Sequence, residues 1–413
     1  MRRQNNTIDL QRLKEELDDL NNKINDKWES YSCTLVTPMY GGGVKAGEVD
    51  NDMPIRASAI RGQLRFWWRI ACGPENSNEL FKKEIAIWGG IGDEGAVSSQ
   101  VQIRVKHCKG SDIKVKTVAE FKHKKSDGIK YVLGTTIGDN AKLPSLLGAE
   151  EKVTFFVEVC CNANVKSDVN QALRWWASFG GIGAKTRRGF GAVEVEGIEP
   201  IPITDFHNKQ TSKGCKLALA KGQYNDAKLA WEKATDSLYE FRQQPGIGRN
   251  KGKEKKEGRS FWPEADQLRH LTGKNDNGRH MPEFEKSLIF PRAAFGLPIQ
   301  FQFPGQNNDP DKMNLYPEDS ERLASPLILR PYLDENKKWR ALALLLPNWK
   351  KALTQPLTLK LSSNNEKVTY QVNHWPDENQ QAERDRLTND IKPMKGRAND
   401  PLSAFLDYFK QGQ

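Results

Sequence analysis

The sequence predicts a mixed α+β protein whose first half follows a ferredoxin-like order: strand, helix, strands, helix, strand. Three observations carry this expectation. Apolar residues recur at helical spacing in two tryptophan-rich stretches, 58–70 and 168–179. Short β-leaning runs lie at 31–37, 101–105, 131–133, 153–159 and 190–195. Glycine or proline punctuates the runs, and the resulting order is that of a split βαβ unit.

Taken in chain order, residues 1–30 read as an amphipathic helical extension. Ile8, Leu10, Leu13, Leu17, Leu20 and Ile24 are spaced on one helical face among alternating charges. The strand 31–37 ends at Pro38, and Gly41, Gly42 and Gly43 open a loop that lasts to Pro54. Ser58 is the expected N-cap of a helix that buries Ile60, Leu64, Trp67, Trp68 and Ala71. Pro200 and Pro202 mark a linker, dividing the chain into units 31–200 and 201–413. The second unit is also mixed. It holds a helix at 225–243, a Gly- and Lys-rich stretch at 245–259 that is expected to be mobile, and an alternating face at Leu297, Ile299, Phe301 and Phe303. Strand runs follow at 327–329, 339–346 and 357–361, with a helix near 403–409.

Composition excludes several classes. The 413 residues are 37% hydrophobic, enough for packed domains, so global disorder is excluded. The longest clean apolar run, 341–346, is far short of the ~20 residues of a spanning helix. Arg2 and Arg3 are followed by no apolar region, so no secretory signal is expected. Six cysteines without CxxC spacing predict reduced thiols in a cytoplasmic protein. A net charge of +10 favours a polyanionic partner.

The candidate chemistry is basic. Arg61, Arg65 and Arg69 fall at i, i+4 and i+8 beside the apolar face, with no acid inside that helix to pair them. They call for carboxylates or phosphates from elsewhere, and Arg56 and the glycine loop converge on the helix start, an anion site, with Ser58. In the stretch 180–191, glycines including Gly181 and Gly183 allow close backbone approach, while Lys185, Thr186, Arg187 and Arg188 offer donors for phosphate oxygens. It is not a Walker A loop, because Ala184 precedes the lysine. Its tail half-matches the RNA-recognition signature, but two stacking positions are Ala192 and Val195. Arg249, Lys251, Lys253, Lys255, Lys256 and Arg259 form a third basic segment. The six histidines have no HxxxH or HExxH spacing, so neither metal nor cofactor is expected. Asp50 and Asp52, in the loop before the arginine helix, are the candidates for a metal-assisted ribonuclease.

Two segments, Thr37-Pro38-Met39-Tyr40-Gly41-Gly42-Gly43 and Pro54-Ile55-Arg56-Ala57-Ser58-Ala59-Ile60-Arg61-Gly62-Gln63-Leu64-Arg65-Phe66-Trp67-Trp68-Arg69, closely resemble the RAMP superfamily of CRISPR–Cas proteins. The stretch 180–191 looks like that superfamily's glycine-rich loop. Trp67-Trp68, with Gly258-Arg259-Ser260-Phe261-Trp262-Pro263-Glu264 and Phe290-Pro291-Arg292-Ala293-Ala294-Phe295-Gly296-Leu297-Pro298-Ile299, resembles the first-subunit family of the type III-B (Cmr) effector. This resemblance implies two ferredoxin-like (RRM-like) domains with insertions. It also implies partnership with other RAMP subunits, with the 3′ region of a guide RNA and with target RNA, without catalysis. The expected contact set is Arg56, Ser58, Arg61, Arg65, Gly181, Gly183, Lys185, Thr186, Arg187, Arg188, Arg259 and Arg292. The alternatives are the ribonuclease using Asp50 or Asp52 and a structural adaptor with no RNA affinity of its own.

Overall fold

The computed structural model describes residues 11–15, 28–93, 95–107, 114–122, 125–134, 142–252, 258–303, 308–361 and 368–411. Of the expected amino-terminal extension, 11–15 are helical and most of the remainder lies outside the described residues, as do Lys253, Lys255 and Lys256.

The first half is organised around β1 (Glu29–Leu35), α1 (Ala57–Ala71), α2 (Ser77–Trp88), β2 (Val101–His107), α3 (Asp127–Leu133), β3 (Val153–Cys161), α4 (Lys166–Phe179) and β4 (Val193–Val195). The strands form one antiparallel sheet in the order β2-β3-β1-β4. This is the strand order expected of a split βαβ unit. In register, Cys33 pairs with Phe155 and Val195, and Leu35 with Val153 and Val193. These alternate residues put one apolar face against α1 and α4. Trp67 and Trp68 belong to that core. Trp67 stacks on Trp175 with centroids 6.2 Å apart, and Trp68 donates its indole N–H to Asp168 Oδ2 at 2.9 Å.

Three local expectations are corrected. Ser58 is exposed inside the first turn of α1; the N-cap is Arg56, in extended backbone, and makes no side-chain cap bond. Residues 131–133 are helical, not a strand. Ser126 Oγ accepts the Ile129 N–H, Asp127 stands in the first turn, and Gly134 at φ 76° stops the helix. The last strand starts at Val193 and not at Phe190, because Gly189 (φ 77°) and Gly191 (φ 65°) bend the chain through left-handed conformations.

The second half contains β5 (Lys216–Leu219), α5 (Ala227–Gln243), α6 (Glu264–Thr272), β6 (Ile299–Phe301), β7 (Met313–Pro317), β8 (Leu327–Leu333), β9 (Trp339–Leu345), β10 (Leu357–Leu361), β11 (Thr369–Val372) and α7 (Pro401–Gln411). One antiparallel sheet has the order β5-β9-β8, and a second has β6-β7-β10-β11. The first repeats the 1-3-2 order of the amino-terminal sheet, but no fourth strand joins it among the described residues. A complete second ferredoxin-like sheet is therefore not formed there. The segment expected to be mobile has a fixed stem: Gly246 N–H bonds Arg249 O at 2.6 Å, and Asn250 N–H bonds Arg259 O at 2.7 Å.

The β5-β9-β8 sheet is buried on both faces, so β8 and β9 read as continuous apolar runs. Leu327, Leu329, Ala341, Ala343 and Leu345 face the core that contains Trp231 and Phe241 of α5. Ile328, Tyr332, Leu342 and Leu344 face the core of the first half. The two halves thus share a packed seam.

His374 is buried at 3% exposure, and both of its ring nitrogens lack a hydrogen-bond partner among the described residues. Burial pushes its pKa down to about 3 from 6.5. The unfolded chain binds this proton below about pH 6.5 and the folded chain does not, so stability falls as pH drops through that window. Between pH 7 and pH 5 this should remove about 2 kcal/mol. Urea unfolding at both pH values is expected to show the loss in the native protein and its absence in His374→Phe; equal slopes would refute it.

Candidate nucleic-acid interface

The arginine helix finds its acids at home. Arg65 and Arg69 both bind Glu84 of α2, at 2.5 Å and 2.6 Å between Nη2 and Oε1, with their Nε groups adding bonds of 2.8 Å and 2.6 Å. Burial pushes the Glu84 carboxyl up, and the two guanidiniums outweigh this and hold it below the usual range. Arg61 donates to Trp88 O at the end of α2. Arg56 reaches back to Gly42 O at 2.5 Å and Gly43 O at 3.3 Å. Arg61 and Arg65 therefore dock α2, and Arg56 shapes the glycine loop.

The 180–191 loop lies in the seam. Lys185, at φ 57°, points its Nζ at Val132 O, 3.3 Å away, and over the Tyr40 ring at 5.5 Å. Thr186 opens a single 3₁₀ turn, Thr186–Arg188. Arg187 donates to Ser325 O. Arg188 donates to Leu327 O at 2.9 Å and Phe295 O at 2.8 Å. Burial lowers both guanidinium pKa values, that of Arg188 to about 10 with repulsion from Arg242 adding to it. Gly181 is buried against Gly191 O, and Gly183 holds a left-handed φ of 79° under Met39. Gly189 also has positive φ, and a Cβ there would lie 2.6 Å from Trp231 Cδ1 and 2.7 Å from Leu329 O. The loop's glycines serve close packing between the halves.

Above this seam opens a cleft of about 1080 Å³. Arg188, Arg242, Arg249, Arg259, Arg269, Arg292 and Lys130 line it, interleaved with Tyr131, Phe295, Phe301 and Phe303. The contacts alternate cation and ring: Arg242 lies 5.1 Å from the Phe295 centroid and 5.7 Å from Tyr131, Arg269 5.1 Å from Phe303, and Arg292 5.8 Å from Phe301. Arg259 pairs with Asp266 at 2.5 Å and Glu283 at 3.1 Å, and Arg292 with buried Glu264 at 3.0 Å. Arg242 forms no ion pair among the described residues, and its buried Nε has no hydrogen-bond partner. Burial pulls its pKa down, with the Arg292 charge acting the same way and Tyr131 and Glu264 acting against it. A half-desolvated guanidinium facing a cleft is a ready site for a phosphate oxygen.

Of the expected contact set, the structure brings Arg188, Arg259 and Arg292 together on this cleft. Arg56, Ser58, Arg61 and Arg65 lie outside it. Sequence reasoning missed Arg242 and Arg269. The available signal was a charge on a buried stripe, Arg242 directly after Phe241 in α5. Asp50 Oδ1 accepts the Asp52 and Met53 N–H groups, both at 3.0 Å, in a side-chain turn, and Asp52 is exposed. Among the described residues, one group could hold a metal: Asp276, His280 and Asp309, with the last two on the cleft wall.

Residues 32–194, which contain the whole first sheet except the start of β1 and the last residue of β4, match the family profile of the RAMP superfamily. A solved structure similar to this chain is apo Cmr1 from Pyrococcus furiosus, at 15% identity over 77% of this chain and 87% of that one, with a TM-score of 0.45. No curated protein matches by sequence. No helix among the described residues is long and apolar enough to cross a membrane.

Two variants separate scaffold from site. Gly189→Ala should cost about 2–4 kcal/mol through strain and overlap with Trp231, seen as a lower Tm. Combined Arg61→Ala and Arg65→Ala should cost about 1–3 kcal/mol, discounted for the partial exposure of both arginines, yet leave RNA affinity of the folded protein unchanged in a filter-binding assay. A large affinity loss in that double variant would return the arginine helix to the interface.

Proposed function

We propose that this protein is a non-catalytic RNA-binding subunit of a type III-B CRISPR effector, holding guide RNA or the target paired to it in the arginine-lined cleft. The observation that carries the reading is the alternation of guanidinium and aromatic ring along that cleft, with Arg242 making no ion pair among the described residues. Phosphates favour the first kind of group and unstacked bases the second. The match of residues 32–194 to the RAMP-superfamily profile supports the CRISPR assignment. The type III-B assignment rests on Trp67-Trp68 and the two carboxy-terminal motifs, and both of the latter contribute to the cleft: Gly258, Arg259 and Ser260 from one, Arg292 and 295–299 from the other. Asp50 is engaged in its own turn, which favours binding over cleavage.

Binding to a single-stranded RNA should weaken with salt, with a log–log slope of about −0.7 per neutralised phosphate. Arg242→Gln with Arg249→Gln is expected to lower affinity about tenfold or more and to flatten that slope by about 1.4. RNA incubated with the protein and Mg²⁺ should remain intact. Undiminished affinity in the folded double variant would remove the cleft from the reading, and cleavage lost in Asp52→Ala would replace it with the nuclease.

A further inference from the structure

On one wall of the cleft, the turn 275–280 meets the segment at Asn308 and Asp309. Their backbones are joined by the Asp276 N–H to Asn308 O bond, 2.9 Å long. Three side chains converge there. His280 Nδ1 lies 3.2 Å from Asp309 Oδ2 and 3.8 Å from Asp276 Oδ2, and all three donor atoms lie within 4.8 Å of one another. Both acids are more than nine-tenths buried, while His280 is half-exposed.

Two features distinguish this cluster from an ordinary ion triad. The Asp276 carboxylate accepts no hydrogen bond among the described residues, although it is only 7% exposed. One imidazole nitrogen can give its proton to one oxygen only, and at 3.8 Å it does not give it to Asp276. A carboxylate left in this way, at the edge of a cleft, keeps both oxygens available as ligand atoms for a cation. Second, Asp309 is also held from outside the cluster. His280 Nδ1 lies 3.2 Å from Oδ2 and 3.4 Å from Oδ1, and Oδ1 faces Arg269 Nε at 3.7 Å as well. Arg269 is itself held by Asp266 at 3.1 Å. That is how an outer-shell group orients a ligating carboxylate.

We infer that Asp276, His280 and Asp309 form a binding site for one divalent transition-metal ion, of the zinc class, with an open coordination position facing the cleft. A tetrahedral ion with bonds of about 2.0–2.1 Å sets its ligands about 3.3–3.4 Å apart. The observed 3.2 Å and 3.8 Å edges bracket that spacing. One imidazole with two carboxylates suits zinc or manganese better than magnesium or calcium, which take all-oxygen shells. Because His280 and Asp309 line the cleft, the fourth position is open to water or to a phosphate oxygen. The site stands independently of the RNA-binding reading, since nothing in it requires bound RNA.

The test uses the full chain, stripped with chelator and titrated with ZnCl₂ by calorimetry without RNA. Elemental analysis after dialysis counts the bound ions. One equivalent should bind to the native protein, raising its Tm. In His280→Ala, and separately in Asp276→Asn, the affinity should fall by more than about 100-fold and the Tm shift should vanish. The half-exposed His280 makes the first variant a mild one, and its Tm in chelator checks the fold. Failure of the native protein to bind zinc would overturn the inference. Uptake undiminished in both variants would do the same by assigning the ion to cysteine thiols or another group.

Discussion

Arg330 holds the molecule together from a position where a charge is expensive. It is 2% exposed in the middle of β8, and its guanidinium has no carboxylate partner among the described residues. It is satisfied by three carbonyls instead: Gly180 O at 2.8 Å, Val193 O at 3.2 Å and Pro331 O at 2.8 Å. Burial pulls its pKa down to about 9, still high enough to keep it protonated at neutral pH. Two of the three acceptors belong to the first half of the chain, one where α4 ends and one in β4. The first half returns the arrangement, sending Arg187 and Arg188 to Ser325 O, Leu327 O and Phe295 O. Carbonyls at such a seam must be reached closely, and this explains why the loop between α4 and β4 is built from glycine.

This exchange divides the arginines into two populations. Those of α1 and the 180–191 loop are spent inside the molecule, on Glu84 and on main-chain oxygens. The second population faces the cleft, whose floor is the seam itself: Arg188 and Phe295 belong to both. The net charge of +10 thus says less about a polyanion than the few guanidiniums whose intramolecular partners leave capacity to spare. Arg242 is the clearest case, stacked between Tyr131 from the first half and Phe295 from the second. Its environment exists because α3 packs on α5, where Gly128 N–H meets Asp236 Oδ1 at 2.9 Å.

What was legible in the sequence follows from the range of the interactions concerned. The first sheet and its two helices could be read because periods of 2 and 3.6 are local, and the buried stripe through Ile60, Leu64, Trp67, Trp68 and Ala71 is the one observed. Residues 131–133 were misread because three apolar residues fit either period, and the deciding cap at Ser126 lies outside so short a window. The arginine ladder was correctly seen to need external acids, yet its acid is 15–19 residues away on a separate helix, and no spacing rule reaches that far. The cleft is less legible still. Tyr131, Arg188, Arg242 and Phe295 come from four separate elements and meet only through the seam. The histidine spacing gave no metal motif because Asp309 joins Asp276 and His280 from another segment altogether.

The chemistry of the cleft wall also bears on what kind of recognition it can support. Guanidiniums held over aromatic faces present charge and flat apolar surface, and neither distinguishes one base from another. Base readout needs donors and acceptors fixed at base edges. Such groups exist here as Gln243, Ser260, Gln300, Gln302 and Ser325, outnumbered by cations and rings. A strand lying in this cleft would be held by backbone and stacking, with affinity that varies strongly with salt and weakly with sequence. That is what a subunit needs if guide–target base pairing carries the sequence information, because a cleft that read bases itself would penalise most of the guides it had to accommodate.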